Sequence, residues 1–162
     1  MTEANTTTPA LNAHNKAEFP PAHTAEHLLN QTMVRMFGCE RSRDAHIERK
    51  KSKLNYALAT PPTAEQLAEV ERQMQALIAA DLPVTFDFVT RDNLPEGIAL
   101  DRLPAQASET LRLVRIGTYD VCPCIGAHVP STKHIGAFRI TSTRYAEGHL
   151  RIVFKVTPPL EA

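Results

Sequence analysis

Two pairs of metal-competent side chains sit near opposite ends of this sequence, His23-Thr-Ala-Glu-His27 and Cys124-Ile-Gly-Ala-His128. If both pairs serve one site, the chain must fold back until the two segments meet, and most of what lies between them becomes scaffold. The histidines stand four apart, so on a helix both imidazoles leave the same face about one turn apart. Alone, such a pair fits either a metal site or two histidines that merely hydrogen-bond at a helix start. Cys124 and His128 add a thiolate and an imidazole on a loop containing Gly126. Two ligands from a helix and two from a loop can complete a zinc tetrahedron at roughly 2.0 to 2.3 Å. The plainer alternative is a buried free cysteine beside a surface histidine; the combination of the two pairs favours one zinc ion held by His23, His27, Cys124 and His128.

The intervening sequence supplies elements for such a scaffold. From His23 to Phe37, Leu28, Leu29, Thr32, Met33 and Met36 recur at helical spacing, and Gly38 is a natural stop. Ile47 to Leu58 starts charged and then alternates through Leu54, Tyr56 and Leu58 as a strand with an exposed face does. Thr63, with Gln66 three residues on, opens a second helix carrying Leu67, Val70, Met74, Leu77 and Ile78, which Asp81-Leu82-Pro83 ends. Strands are expected at Val84 to Val89, Leu111 to Ile116, Gly136 to Thr141 and Leu150 to Val156, the last two joined by a turn at Ala146-Glu147-Gly148. Arg91 to Ser108 reads as a loop or short helix. Residues 1 to about 19 read as a mobile tail, and 20 to 162 as a single domain. Two helices among strands without strict alternation predict an α+β fold. Its sheet is expected to be mixed or mostly antiparallel, with the helices packed on one face and the other face partly open.

Charge and cysteine use narrow the function classes. The chain has 18 basic and 18 acidic residues, so its net charge of zero argues against broad phosphate neutralisation. The distribution is uneven, since Arg41, Arg43, Arg49, Lys50, Lys51 and Lys53 crowd one stretch containing only Asp44 and Glu48 as acids. Three cysteines are too few and oddly numbered for a disulfide framework. With no basic segment followed by an apolar run at the start, and no run of about 18 apolar residues anywhere, a cytoplasmic protein is expected.

The residues around the ligands carry a resemblance. His23-Thr-Ala-Glu-His27-Leu-Leu, Cys124-Ile-Gly-Ala-His128-Val129, Ser131-Thr132-Lys133-His134-Ile135-Gly136-Ala137-Phe138-Arg139-Ile140, Gly148-His-Leu-Arg151-Ile-Val-Phe and Asp81-Leu-Pro-Val occur in order. In this the chain resembles the second additional domain of alanyl- and threonyl-tRNA synthetases, and the freestanding alanyl-tRNA editing proteins built on it. The resemblance runs from His23 to about Val156 and implies the same four zinc ligands, an editing-type fold and hydrolysis of mischarged aminoacyl-tRNA. Ile125 and Ala127 depart from the usual C-G-G-T-H loop, which bears on substrate choice. Lys53-Leu54-Asn55-Tyr56 stands where the family often reads Arg-Phe-Asp-Phe, replacing a carboxylate with an amide.

Other residues have two readings. His46 is a candidate proton carrier or a surface histidine. Arg49, Lys50, Lys51 and Lys53 either receive phosphates of an acceptor stem or solvate an exposed segment. Thr132, Lys133 and His134 are candidate contacts to a terminal adenosine or phosphate, and Gly126 lends its loop backbone to a developing oxyanion. Cys122 reads as core or pocket lining, and Cys39 as inert. Glu26 makes the first motif also match H-x-x-E-H, an inverted zinc-peptidase pattern in which it is the general base; that scheme needs an acidic third ligand from Glu65, Glu69 or Glu71. The same zinc fold could instead act on a small amino acid ester or amide, or bind tRNA ends or amino acids without catalysis.

Overall fold

A computed structural model describes residues 19–90 and 110–159. The expected tail, apart from Phe19, and the expected loop or short helix from Arg91 to Ser108 lie outside those residues. The first helix, α1 (Pro20–Phe37), begins three residues earlier than the apolar spacing suggests. Pro20 and Pro21 sit in its first turn, where a missing N–H costs nothing. Gly38 closes it in a left-handed conformation, donating its N–H to Val34 O at 2.9 Å. The second helix, α2 (Ala64–Ala79), has the expected capping box, with Thr63 Oγ1 accepting from Gln66 N and Gln66 Oε1 accepting from Thr63 N.

The strands are β1 (Ala45–His46), β2 (Ser52–Ala57), β3 (Val84–Thr90), β4 (Thr110–Ile116), β5 (Asp120–Pro123), β6 (Ala137–Ala146) and β7 (His149–Thr157). A 3-10 turn, Thr132–Ile135, precedes β6. Among the described residues all ladders are antiparallel, but they form two sheets where one was expected: β1-β2-β7-β6 and β3-β4-β5. Two strands left no sequence signal, because β1 is only two residues long and β5 ends on a proline.

The four-stranded sheet has the one-sided character its alternation predicts. Leu54 and Tyr56 of β2 oppose Ile152 and Leu150 of β7, and with Phe154 and Val156 they face the helices. Lys53, Asn55, Arg151 and Lys155 occupy the alternate positions, on the open face. The helices contribute Leu28, Leu29 and Met33 from α1, and Val70, Met74 and Ile78 from α2, to the same core. Edge strand β6 is protected by α2, since Glu71 Oε2 accepts from Ile140 N at 2.6 Å and Gln75 Oε1 from Phe138 N at 2.5 Å.

Between α1 and the β3-β4-β5 sheet the fold is tighter. Residues 22 to 30 of α1 are all buried, so this helix is enclosed on every side rather than lying on a surface. Its polar members therefore need partners inside. Asn30 Oδ1 accepts from Tyr56 Oη at 2.7 Å, and Thr32 Oγ1 donates to Leu28 O at 2.8 Å.

Gly136 marks the closest approach of backbones. With φ 82° and ψ −134°, it occupies a region that only glycine adopts easily, and a Cβ there would collide with the Thr157 carbonyl. Gly136→Ala is expected to lower unfolding free energy by about 3 kcal/mol in urea denaturation, combining backbone strain with overpacking.

Candidate metal centre

His23 and His27 leave α1 one turn apart, and Cys124 and His128 come from the loop after β5. The structure brings these four together: one donor atom from each lies within 4.8 Å of the others. His23 Nε2 is 3.2 Å and His128 Nε2 3.8 Å from Cys124 Sγ. Tetrahedral angles with ordinary zinc bond lengths place sulfur and nitrogen ligands about 3.5 Å apart, a separation these two distances bracket.

The far nitrogens of the imidazoles are oriented for the same job. His23 Nδ1 donates to Ala127 O at 3.0 Å, and His128 Nδ1 meets Thr24 Oγ1 at 2.8 Å. Thr24 Oγ1 also accepts from Val129 N at 3.2 Å, tying helix to loop. His27 Nδ1 faces Asp120 Oδ2 at 3.7 Å, too long for a hydrogen bond; it is the buried side-chain polar atom among the described residues left without a partner. With their Nδ1 atoms so directed, the rings present Nε2 to the cluster, the tautomer arrangement that metal-binding histidines use.

Electrostatics point to a centre that holds positive charge. Burial alone would lower the His27 pKa, yet the Cys124 thiolate and Asp120 raise it well above the ordinary value. Burial opposes ionisation of Cys124, but the positive His27 and hydrogen bonds from the histidines push its thiol down to about 2. His128 is pushed down to about 4, chiefly by burial, so it is a neutral donor at neutral pH. The Cys124 thiolate and the neutral His128 are in the states that bind zinc, whereas His27 would have to release its proton as a metal entered.

A buried carboxylate supports the site from behind. Asp120 takes a two-armed bond from Arg41, at 2.7 Å to Oδ1 and 3.3 Å to Oδ2, and a third from Gln31 Nε2 at 3.0 Å. Although burial raises its pKa, His27 and Arg41 outweigh that and hold it below the usual carboxylate value. On the opposite side Arg112 of β4 grips the metal loop, donating from Nε to Cys124 O at 3.0 Å and from Nη2 to Gly126 O at 2.6 Å. Gly126 has φ 108°, a conformation a side chain would strain.

Asp120, Thr24 and Arg112 were not singled out from sequence. Asp120 had a signal, an acid two residues before a cysteine in an otherwise apolar run. Arg112 acts through backbone carbonyls of the loop, and Thr24 through His128 and the Val129 backbone more than a hundred residues away, which local side-chain patterns do not reveal.

Other candidates contribute no donor atom to the cluster. His46 is exposed on β1, paired across the ladder with Lys53. Thr132 is fully buried; its hydroxyl accepts from Leu82 N and donates to Leu77 O, anchoring the chain after the metal loop to the end of α2. Lys133 is exposed, 3.8 Å from Asp81, and His134 is half-buried. The basic stretch is divided: Arg41 serves Asp120, Arg43 meets Glu40 at 3.3 Å, Arg49 lies over the Phe19 ring at 4.5 Å, and Lys50 and Lys51 are exposed. Cys122 and Cys39 are half-buried thiols raised by burial. Glu26 is buried, its Oε1 4.0 Å from His23 Nε2. The acids of α2 are elsewhere: Glu69 pairs with Arg72 and Glu71 caps Ile140.

Purified protein is expected to carry one equivalent of zinc by elemental analysis, and Cys124→Ala to lose it. Asp120→Asn strands the buried Arg41 charge and is expected to cost about 3–5 kcal/mol at pH 7. Because the folded pKa of Asp120 is depressed, its stabilisation is complete above the unfolded value near 3.9 and is lost as pH falls through the folded value. The stability gap between parent and Asp120→Asn should therefore close on acidification below about pH 4, as read by denaturant melts at several pH values.

Comparison with known proteins agrees with this geometry. The family described as the threonyl and alanyl tRNA synthetase second additional domain matches residues 111–153, a span that includes Cys124 and His128. The alanine–tRNA ligase of Idiomarina loihiensis is 33% identical over 121 residues, covering 74% of this chain and 14% of the ligase. That of Pyrobaculum aerophilum is 31% identical over 140 residues, 82% of this chain and 16% of the ligase. That of Methanococcus maripaludis is 25% identical over 156 residues, 94% of this chain and 18% of the ligase. The chain thus spans less than a fifth of each of these relatives. Fold, donor set and relatives converge, and the chain is a protein like the second additional domain of the alanyl- and threonyl-tRNA synthetases.

Proposed function

We propose that this domain is a zinc-dependent deacylase that hydrolyses the ester of mischarged aminoacyl-tRNA in trans, of the alanyl-tRNA editing type, working in the cytoplasm without ATP. The observation that carries the reading is the preformed His23, His27, Cys124 and His128 cluster in a chain related to alanine–tRNA ligases. Zinc held by all four would be closed, and it would act as a Lewis acid on an ester carbonyl or a water molecule where one ligand were displaced or its coordination expanded.

The protein's own groups would prepare the rest. Arg112 draws the carbonyls of Cys124 and Gly126 to one side of the loop. In a trans peptide C=O and N–H point opposite ways, so the N–H group of Ile125 turns away from Arg112, where it could receive a developing oxyanion. Phe86 and Phe88 are the large apolar side chains most exposed among the described residues, at 43% and 40%. By ladder register they share a sheet face with Arg112 and Cys124, and the Phe86 ring lies 6.3 Å from that of His128. This is a surface on which the base of the terminal nucleotide could stack. Lys133 and His134 follow the loop in the turn at Thr132–Ile135, and the exposed Lys50 and Lys51 could meet phosphates. His46, exposed on an edge strand outside the cluster, receives no step.

Metal-loaded protein is expected to release amino acid from members of a panel of mischarged tRNAs, and Cys124→Ala to be inactive. Turnover of free aminoacyl esters alone would replace the reading with a small-ester hydrolase, and tRNA binding without turnover with a recognition module. Glu26→Gln separates the peptidase scheme: deacylation is expected to persist, whereas loss of all activity in a variant that keeps its zinc would make Glu26 the general base.

A further inference from the structure

The open face of the four-stranded sheet gathers positive charge that the metal centre does not use. Arg139 of β6 stands directly opposite Lys155 of β7, and Arg144 directly opposite Arg151. Directly opposed residues project from the same face, and like charges so placed oppose sheet formation. All four side chains are exposed, and Lys53 of β2 joins them on this face. The outward positions of β2, β6 and β7 contain no aspartate or glutamate. Among the described residues none of the four cations forms an ion pair, and Arg151 reaches only the neutral amide of Asn55, at 3.4 Å. In a chain of zero net charge this is segregation, not general basicity.

A bulge creates the arrangement. The β6–β7 register shifts between Ile140 and Ser142, leaving Thr141 as the extra residue. Were Thr141 instead paired in regular alternation, Arg144 would turn to the core side with Phe138. With the bulge, Arg139 and Arg144 both face outward. Arg139, Lys155, Thr141 and Thr157 line one shallow depression of about 260 Å³, and Arg144, Arg151, His149 and Asn55 another of about 180 Å³. Each joins two cations to neutral hydrogen-bonding groups. Lys155 and Arg151 are four residues apart, about 13 Å along the strand.

We propose that this face binds the phosphodiester backbone of an RNA helix. Its arginines suit planar two-armed contacts to phosphate, and its regular spacing suits a partner recognised by shape rather than base sequence. An anionic membrane fits less well, because the largest apolar side chain on the face, Val153, is itself half-buried. That the RNA is the stem of a tRNA rests on the function proposed above; binding of the backbone does not.

The test is fluorescence anisotropy of the full chain with uncharged tRNA across a salt series, comparing the parent with Arg139→Gln/Arg144→Gln and with the single change Lys155→Gln. Removing two duplex phosphate contacts is expected to weaken binding about tenfold or more and to reduce the slope of log K against log salt by about 1.8, with about 0.9 for the single change. Melting temperature should hold or rise, since repulsion across the hairpin is relieved; a merely structural role would lower it. Unchanged affinity and slope in folded variants would overturn the proposal, as would tighter binding to phosphatidylserine vesicles than to tRNA. Charge-dependent tRNA binding by a protein that hydrolyses no aminoacyl-tRNA would keep this interface and remove the hydrolase. Hydrolysis with a KM indifferent to these changes would do the reverse.

Discussion

Enclosure of α1 is the constraint on which the rest of the molecule depends. A helix at the surface can leave its polar side chains to water, but this one has the core of one sheet on one side and the β5 strand with its following loop on the other. Each polar residue inside must then be answered by a specific partner. Asn30 is answered by Tyr56, Thr32 by Leu28 and Tyr119, Thr24 by Val129 and His128. His23 and His128 are answered by Cys124, Ala127 and Thr24, while His27 Nδ1 faces Asp120 at a distance too long for a hydrogen bond. The metal centre is thus the point where the polar needs of a buried helix and those of a distant loop are met together.

The groups around that centre divide the work. Asp120 and Arg41 set the electrostatic balance from behind His27, while Arg112 fixes the loop backbone that presents Cys124. Thr132 holds the continuation of the same loop to the end of α2. Loop position is therefore determined by two anchors, Arg112 and Thr132, that touch no ligand atom, the kind of support a preorganised site requires.

Much of this was legible in the sequence, for identifiable reasons. Both helices, the capping box and the alternating strands β2 and β7 were readable because local propensity and burial pattern agree there. The convergence of His23, His27, Cys124 and His128 was readable because thiolate and imidazole at these spacings suit one shared cation. The division into two sheets was not, since strand pairing is decided by distant contacts. β5 was hidden because Cys122-Pro123-Cys124 looks like a loop. The role of Arg41 was hidden for a related reason: its neighbours in sequence are basic, which suggests a solvated cluster, while its partner Asp120 lies far along the chain and is buried. A residue's charge was visible, but its destination was not.

Thr141 is the residue that the pairing passes over. Its hydroxyl meets Val153 O at 3.2 Å, so the interruption is bonded into place rather than left loose. Ile140 pairs with Phe154 and Ser142 with Val153, so the ladder runs on unbroken once Thr141 is set aside. Deleting it would leave Ser142 to Ala146 facing as they do, whereas a pairing that counted it in would turn the end of the hairpin over and set Arg144 against the hydrophobic side. The strand thus carries a spare residue at no cost to the orientation of the others.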